Sequence, residues 1–334
     1  MSASIAPTGA PLVEVHNLVK WFPVQHGFLE TMLAGRQEWV RAVDDVTFDI
    51  RRGEVFGLAG ESGSGKSTTG RAILRLVEPT SGQVLFDGTD LATLSGTEMR
   101  RMRRRMQVIF QDPMVSLNPR LSLGAAIAHA LQIHYPERAA EHHDLVASMM
   151  ERVGLAPARF YYDKFPHQIS GGQRQRVVIA RALVTRPDLV LADEPIAMAD
   201  VSVRALLLEL MVELQRELQL TYLFITHDLA TAKYICDRIG VMYLGKLCEV
   251  GALRAVYGEP LHPYTRALLA AVPVPDPHRR RTDKMPEGEI PNPIAPPPGC
   301  RFHPRCPQAV AVCREEEPEF REASAGHWVA CHLA

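Results

Sequence analysis

The chain has 334 residues, 46% of them apolar and 22% charged, values ordinary for a globular fold and enough for one large domain or two modest ones. Its 37 basic and 38 acidic side chains leave a formal charge of -1, which argues against a protein held to nucleic acid by bulk electrostatics. No stretch approaches the run of about 18 apolar residues of a membrane-spanning helix, and MSASIAPTGAPLVEV lacks the basic start and apolar core of a secretory leader, so the chain is expected to stay in the cytosol.

As far as about Leu269, short apolar runs alternate with helical patterns, the layout of an α/β fold with a mainly parallel sheet and an antiparallel β region at the N-terminus. The segment Gly27–Gly35 (GFLETMLAG) is an unusual insertion between the first strands and a candidate for approaching a membrane. Val55–Ala59 reads as a buried strand and Ser67–Leu76 as the helix after it. Arg100, Arg101, Arg103, Arg104 and Arg105 form a basic run that a chain of near-zero charge is expected to carry as a solvated helix face.

A second strand covers Val108–Phe110. From 112 to 170 the strand signal disappears and amphipathic patterns such as Glu141–Val153 replace it, so a helical subdomain is expected inside the α/β core. The core resumes with a helix over Gly172–Thr185, a strand over Leu189–Ala192, a helix over Val201–Leu218 and a strand over Tyr222–Thr226. Residues 1–271 are thus expected to form one α/β domain. Proline-rich residues 272–299 read as a linker, and residues 300–334 carry four of the six cysteines.

The chemistry begins at Gly60, Glu61, Ser62, Gly63, Ser64, Gly65, Lys66, Ser67 and Thr68, which match G-x-x-x-x-G-K-[ST] between a strand and a helix. Glycines let such a loop curl so that successive amides face phosphate oxygens, and the helix beginning there adds the positive end of its dipole. Lys66 is expected to neutralise the β- and γ-phosphates of a nucleotide, and Ser67 to offer its hydroxyl to Mg²⁺. Asp193 and Glu194 end the apolar strand from Leu189. Asp193 would reach the carboxyl edge of the sheet and hold Mg²⁺ through water, while Glu194 would orient and polarise the attacking water.

Ser170-Gly171-Gly172-Gln173, ahead of the Leu189 strand, resembles the signature of the ATP-binding-cassette (ABC) family. By itself the run also suits a helix N-cap. Beside the loop and the acidic pair, it identifies the chain as a member of that family, whose fold is the P-loop ABC cassette. The resemblance implies that the signature contacts the γ-phosphate of ATP bound by an opposite subunit, and that Gln111 reaches Mg²⁺ and senses a membrane partner. It also implies that His227 contacts the γ-phosphate and supports the catalytic water, that Phe22 stacks on adenine with Trp21 as the competing ring, and that Asp200 communicates across the dimer. In Pro195-Ile-Ala-Met-Ala-Asp200 an alanine, Ala197, stands where the family usually has serine. That puts one polar contact in doubt and raises the prospect of unequal ATP sites.

Phe110-Gln-Asp-Pro-Met-Val-Ser-Leu-Asn-Pro119 and Pro263-Tyr-Thr-Arg-Ala-Leu268 resemble the oligopeptide/dipeptide importer ATPases. That branch implies ATP hydrolysis at the cytoplasmic face of the membrane, a second related ATPase, two permeases docked on the helical subdomain, and an extracytoplasmic binding protein, with no nucleic acid. The rival, a soluble ABC ATPase acting on ribosomes or DNA, usually has two cassettes or a long coiled coil, and neither is present. Cys300, Cys306, Cys313 and Cys331 suit tetrahedral Zn²⁺ or a [4Fe–4S] cluster, and simple buried thiols remain the plain alternative. Their spacings are wider than the usual zinc pairs, and the tail resembles the importer module in which an iron–sulfur cluster is implied.

Overall fold

Alternating burial along the first two strands builds an antiparallel sheet: Val13 and Val15 of β1 (Pro11–Pro23) face inward with Val46, Phe48 and Ile50 of β2 (Trp39–Arg51). The computed structural model describes residues 10–24, 37–272 and 288–334. The Gly27–Gly35 insertion and most of the 272–299 linker lie outside the described residues. The chain divides into two compact units, one of Met1–Arg51, Val55–Ala92 and Ile225–Ala334, the other of Arg52–Glu54 and Thr93–Phe224.

In the first unit the antiparallel sheet has the order β2-β1-β4-β5, completed by β4 (Ser81–Phe86) and β5 (Thr89–Asp90). A second sheet begins with β3 (Val55–Ala59), buried along its whole length and parallel to β9 (Arg238–Tyr243). β9 turns into β10 (Lys246–Ala252) through Leu244 and Gly245, both at positive φ (45° and 84°), the two-residue turn whose twist suits a hairpin. The C-terminal hairpin, β11 (Phe320–Ser324) and β12 (His327–Ala330), joins the free side of β10, so this part of the sheet runs β11-β12-β10-β9-β3. The cysteine-bearing tail is therefore continuous with the sheet that carries the phosphate loop. Glu249 of β10, fully buried, is satisfied there by His327 at 2.7 Å and by the amides of Leu261 and His262, both at 2.9 Å.

The second unit holds β6 (Met106–Ile109) parallel to β7 (Leu189–Asp193), with β8 (Thr221–Thr226) on the other side of β7. Its helices include Leu123–His134, His142–Arg152, Gly171–Leu183 and Val201–Leu218. Between 112 and 170 no strand occurs among the described residues, as the sequence pattern requires.

Two details differ from expectation. The helix after the loop spans Lys66–Ile73 and stops short of Leu76, because Arg75 turns left-handed (φ 50°) and the amides of Arg75 and Leu76 fold back onto the carbonyls of Ala72 and Arg71. The arginine run is only partly a solvated face. Arg100, Arg101 and Arg104 are exposed, but Arg105 turns inward to Asp188 at 2.5 Å.

Gly63 and Gly65 both have positive φ (78° and 104°), yet a Cβ on Gly63 meets nothing within 4 Å while one on Gly65 would lie 2.1 Å from the Ala42 carbonyl oxygen. Gly63→Ala is therefore expected to cost about 1 kcal/mol, and Gly65→Ala at least about 2 kcal/mol more. Denaturant unfolding of both variants measures the gap, and equal losses would contradict a steric role for Gly65.

Candidate functional site

The phosphate loop is held by close backbone approaches at both of its ends. It leaves β3 at Gly60 (φ 150°), where a Cβ would sit 2.2 Å from the Met242 carbonyl oxygen, and enters the helix Lys66–Ile73 with left-handed Gly65 at the N-cap. Only glycine fits both close approaches. No side chain caps this helix, whose N-terminus closes the loop. Lys66 is 5% exposed, and its Nζ donates to the carbonyls of Gly60 and Glu61, both at 2.8 Å, and to Ser64 Oγ at 3.3 Å. The loop thus encloses its own cation. Ser67 and Thr68 are half-buried on the first turn of the helix, and Ser62 is exposed.

The same unit carries the aromatic candidates and His227. Trp21 Nε1 donates to Asp44 at 3.1 Å and Arg41 covers its ring at 4.9 Å, whereas Phe22 is 37% exposed with Lys20 Nζ 4.8 Å from its centroid. Packing therefore occupies Trp21 and leaves Phe22 accessible. His227 is exposed directly after β8. Its neighbour Asp228 caps the next helix, Leu229–Ile235, by accepting from the Ala230 amide at 2.9 Å.

In the second unit β7 ends with Asp193 buried and Glu194 half-buried. Glu194 adopts φ 47°, a left-handed conformation that costs energy for a side chain of this kind and is held by its surroundings. Those surroundings are specific. Gln111 Nε2 donates to Glu194 Oε2 at 2.8 Å, Gln175 Nε2 holds the Pro195 carbonyl at 2.5 Å, and the Ala197 amide donates to the Glu194 carbonyl at 3.2 Å. Arg204 supports the run before Asp200 by donating to the carbonyls of Ala199 and Ala197 at 2.8 and 3.2 Å. The segment that lacks the family's serine at 197 is thus fixed through backbone carbonyls.

Ser170 does serve as the N-cap of the helix Gly171–Leu183. Its Oγ accepts from the Gln173 amide at 3.3 Å, and Gln173 Oε1 accepts from the Ser170 amide at 3.0 Å. The two signature glycines differ. A Cβ on Gly172 would approach Val203 Cγ1 to 2.8 Å, while one on Gly171 meets no atom within 4 Å, so the fold itself has no need of glycine at 171. Each unit therefore holds part of the expected set: the loop, Phe22 and His227 in the first, Gln111, Asp193, Glu194, the signature and Asp200 in the second.

The tail thiols of Cys300, Cys306, Cys313 and Cys331 are near enough that the negative charge of one would raise another, and a fifth, Cys248 of β10, faces Cys300 and Cys331. Burial first, then these neighbours, push Cys300 up to about 11 and raise Cys306 and Cys248. Three tail sulfurs accept from the amide two residues on: Cys300 from Phe302, Cys306 from Gln308 and Cys331 from Leu333, the last at 3.4 Å. This donor chemistry suits thiolate bound to metal. Among the described residues, however, no group of three or more His, Cys, Asp or Glu side chains is arranged to hold a metal ion. The expected cluster is thus supported by proximity and not by an assembled centre. The nearby histidines bond elsewhere: His303 Nδ1 to the Cys300 carbonyl at 2.9 Å, His332 Nε2 to the Glu316 carbonyl at 3.0 Å, and His327 to Glu249.

Sequence reasoning passed over Cys248, Tyr264, Arg301 and Arg305. Arginines placed next to Cys300 and Cys306 were the available signal.

Comparison with known proteins adds independent evidence. The model of the family described as "ABC transporter" matches residues 43–197, and that described as "Oligopeptide/dipeptide transporter, C-terminal region" matches 248–313. A putative peptide import ATP-binding protein of Brucella abortus is 48% identical over 97% of this chain and 98% of its own length. The oligopeptide transport ATP-binding protein AppF of Bacillus subtilis is 46% identical over 96% of this chain and 97% of its own length. Among solved structures, the ATP-binding cassette MJ0796 in a dimeric post-hydrolysis state bound to ADP and Pi superposes with TM-score 0.62 at 29% identity, over 72% of this chain and 99% of that one. CbiO1 of Clostridium perfringens, part of the ABC transporter complex cbiONQ, gives the same TM-score at 28% identity, over 75% and 91%.

Proposed function

This chain belongs to the ABC transporter family, as an ATP-binding subunit of the oligopeptide/dipeptide branch, and from that premise we propose how its residues turn MgATP hydrolysis into peptide import. The observation that carries the reading is the phosphate loop, whose close-packed glycines, helix N-terminus and enclosed lysine make a polyanion site. Lys66 neutralises the β- and γ-phosphates, with the amides of Gly60, Glu61, Ser62, Gly63, Ser64 and Gly65 and the first turn through Thr68 around them. Ser67, Gln111 and Asp193 are the residues that would hold Mg²⁺, which would supply positive charge to the phosphates. Glu194 polarises the attacking water and His227 steadies the γ-phosphate. The Gln111–Glu194 bond supports this assignment, since one side chain reports on the other. Phe22 stacks on adenine, a reading favoured by its exposure and by the ties on Trp21.

A motor of this kind works in pairs. Ser170, Gly171, Gly172, Gln173 and Asp200 are assigned to the phosphates of a second, related cassette, which the exposure of Ser170 and the open space at Gly171 favour. The partners are permeases. Met114, Val115 and Phe160, 57%, 86% and 58% exposed within 112–170, are the apolar side chains assigned to that contact. No helix among the described residues is long and apolar enough to cross a membrane. The peptide-import relatives support a chain that acts from the cytoplasmic face on permeases that span it. An extracytoplasmic binding protein completes the proposed complex. The relatives' names speak for transport and against the ribosome or DNA alternative.

Glu194→Gln is expected to bind MgATP with unchanged affinity and to lose at least about a hundredfold in turnover, the usual scale for a general base. Unchanged hydrolysis would remove Glu194 from this role. Gly171→Ala is expected to leave the unfolding free energy within about 0.5 kcal/mol of wild type. It should still cut the ATPase rate of the permease-bound complex at least about tenfold. A wild-type rate would take the signature away from the second nucleotide.

For the tail we propose a [4Fe–4S] cluster on Cys300, Cys306, Cys313 and Cys331, with Zn²⁺ as the rival. The four-thiol donor set and the amide bonds to three of the sulfurs support it. Such a cluster would cross-link a segment with little core of its own. Protein purified without oxygen is expected to be brown with about four irons per chain; a colourless zinc-bearing preparation would favour the rival.

A further inference from the structure

Glu61 is an odd residue for a loop that receives a polyanion, because its carboxylate repels the phosphates. The first unit deals with it through the tail. Arg305 Nη1 donates to Glu61 Oε2 at 2.7 Å and Nη2 to Oε1 at 3.0 Å, a two-pronged pair whose side chains are 6% and 18% exposed. The other polar groups of Glu61 are also engaged. Its amide donates to Tyr264 Oη at 2.9 Å, and its carbonyl accepts from Lys66 Nζ at 2.8 Å.

Arg305 is held for this task. It ends the short turn His303–Arg305, immediately before Cys306, and its guanidinium lies 5.8 Å from the Tyr243 ring with Nη1 3.4 Å from the Tyr243 hydroxyl. Tyr243 is itself held in a ring cluster with Tyr264 and Phe302, with centroids 4.7 to 5.3 Å apart. Its Nε is buried without a hydrogen-bond partner, so the fork is aimed by Glu61 at the expense of the third nitrogen. Arg301, next to Cys300, braces the opposite flank by donating to the Leu244 carbonyl and the Asp44 carboxylate. The neighbouring Gly245 amide then holds the Ser64 carbonyl at 2.9 Å.

We infer that Arg305 is a positioning residue for the nucleotide: it cancels the charge of Glu61 and pins the phosphate loop, so the cysteine tail sets the affinity for MgATP. The inference rests on the reading of the loop as an ATP site. Calorimetric titration of the full-length chain with MgATP tests it, with thermal unfolding of the unliganded protein as the check on folding. Arg305→Met, which leaves Glu61 charged and unpaired, is expected to weaken MgATP binding about tenfold, equivalent to about 1.4 kcal/mol. Glu61→Gln in the same chain removes the repulsion, so the double variant is expected to bind within about threefold of wild type. Such rescue would not follow if Arg305 were only a packing residue. Wild-type affinity in a folded Arg305→Met, or a double variant as weak as the single, would overturn the inference. If Arg305→Met does not fold, the double variant decides, because it leaves neither charge unpaired. Lys66→Ala tests the underlying reading separately: MgATP binding that survives it would refute the ATP site itself, whatever Arg305 does.

Discussion

The phosphate loop is possible because two backbones approach more closely than any side chain would permit. At Gly60 and Gly65 the loop presses against the carbonyls of Met242 in β9 and Ala42 in β2, at separations that an added methyl group would reduce to 2.2 and 2.1 Å. This contact locks the loop between both sheets of the first unit and fixes where its amides point. Lys66 has no freedom to leave, since its ammonium is wrapped by the carbonyls of the loop that it completes. A pre-shaped anion site of this kind has little left to reorganise on binding, which is where such sites gain selectivity for phosphate.

The second unit follows a different logic. There the backbone is strained at a carboxylate: Glu194 sits left-handed, and Gln111, Gln175 and Arg204 hold the surrounding chain in place. Gln111 follows β6 at the start of the segment whose apolar tips, Met114 and Val115, face outward. A movement of those tips would therefore be felt at a residue hydrogen-bonded to the proposed base. That is a short mechanical path, and it uses one side chain.

Sequence and structure agree where information is local. The loop, the strand ending at Asp193 and the helix Val201–Leu218 are written in contiguous residues whose spacing has one physical reading. The signature also carried its helix-capping role openly, in Ser170 and Gln173. What stayed hidden was non-local. Arg305 and Glu61 are 244 positions apart, and no periodicity joins them. Cys248 gave no signal of its place beside the tail thiols, because only the pairing of β12 with β10 brings the tail to it. The end of the first helix was misjudged for a local reason, as Arg75 adopts a conformation usually left to glycine.

The joining of the C-terminal hairpin to β10 changes how the chain should be handled at the bench. The proline-rich stretch near residue 290 looks like an obvious place to cut, and the upstream fragment would retain every residue assigned to the nucleotide. Yet the fragment would lose the cation opposite Glu61 and the brace on Asp44, and would expose the open edge of β10 with Glu249 no longer facing His327. A shortened version would be a different machine, with an uncompensated acid in its most sensitive turn.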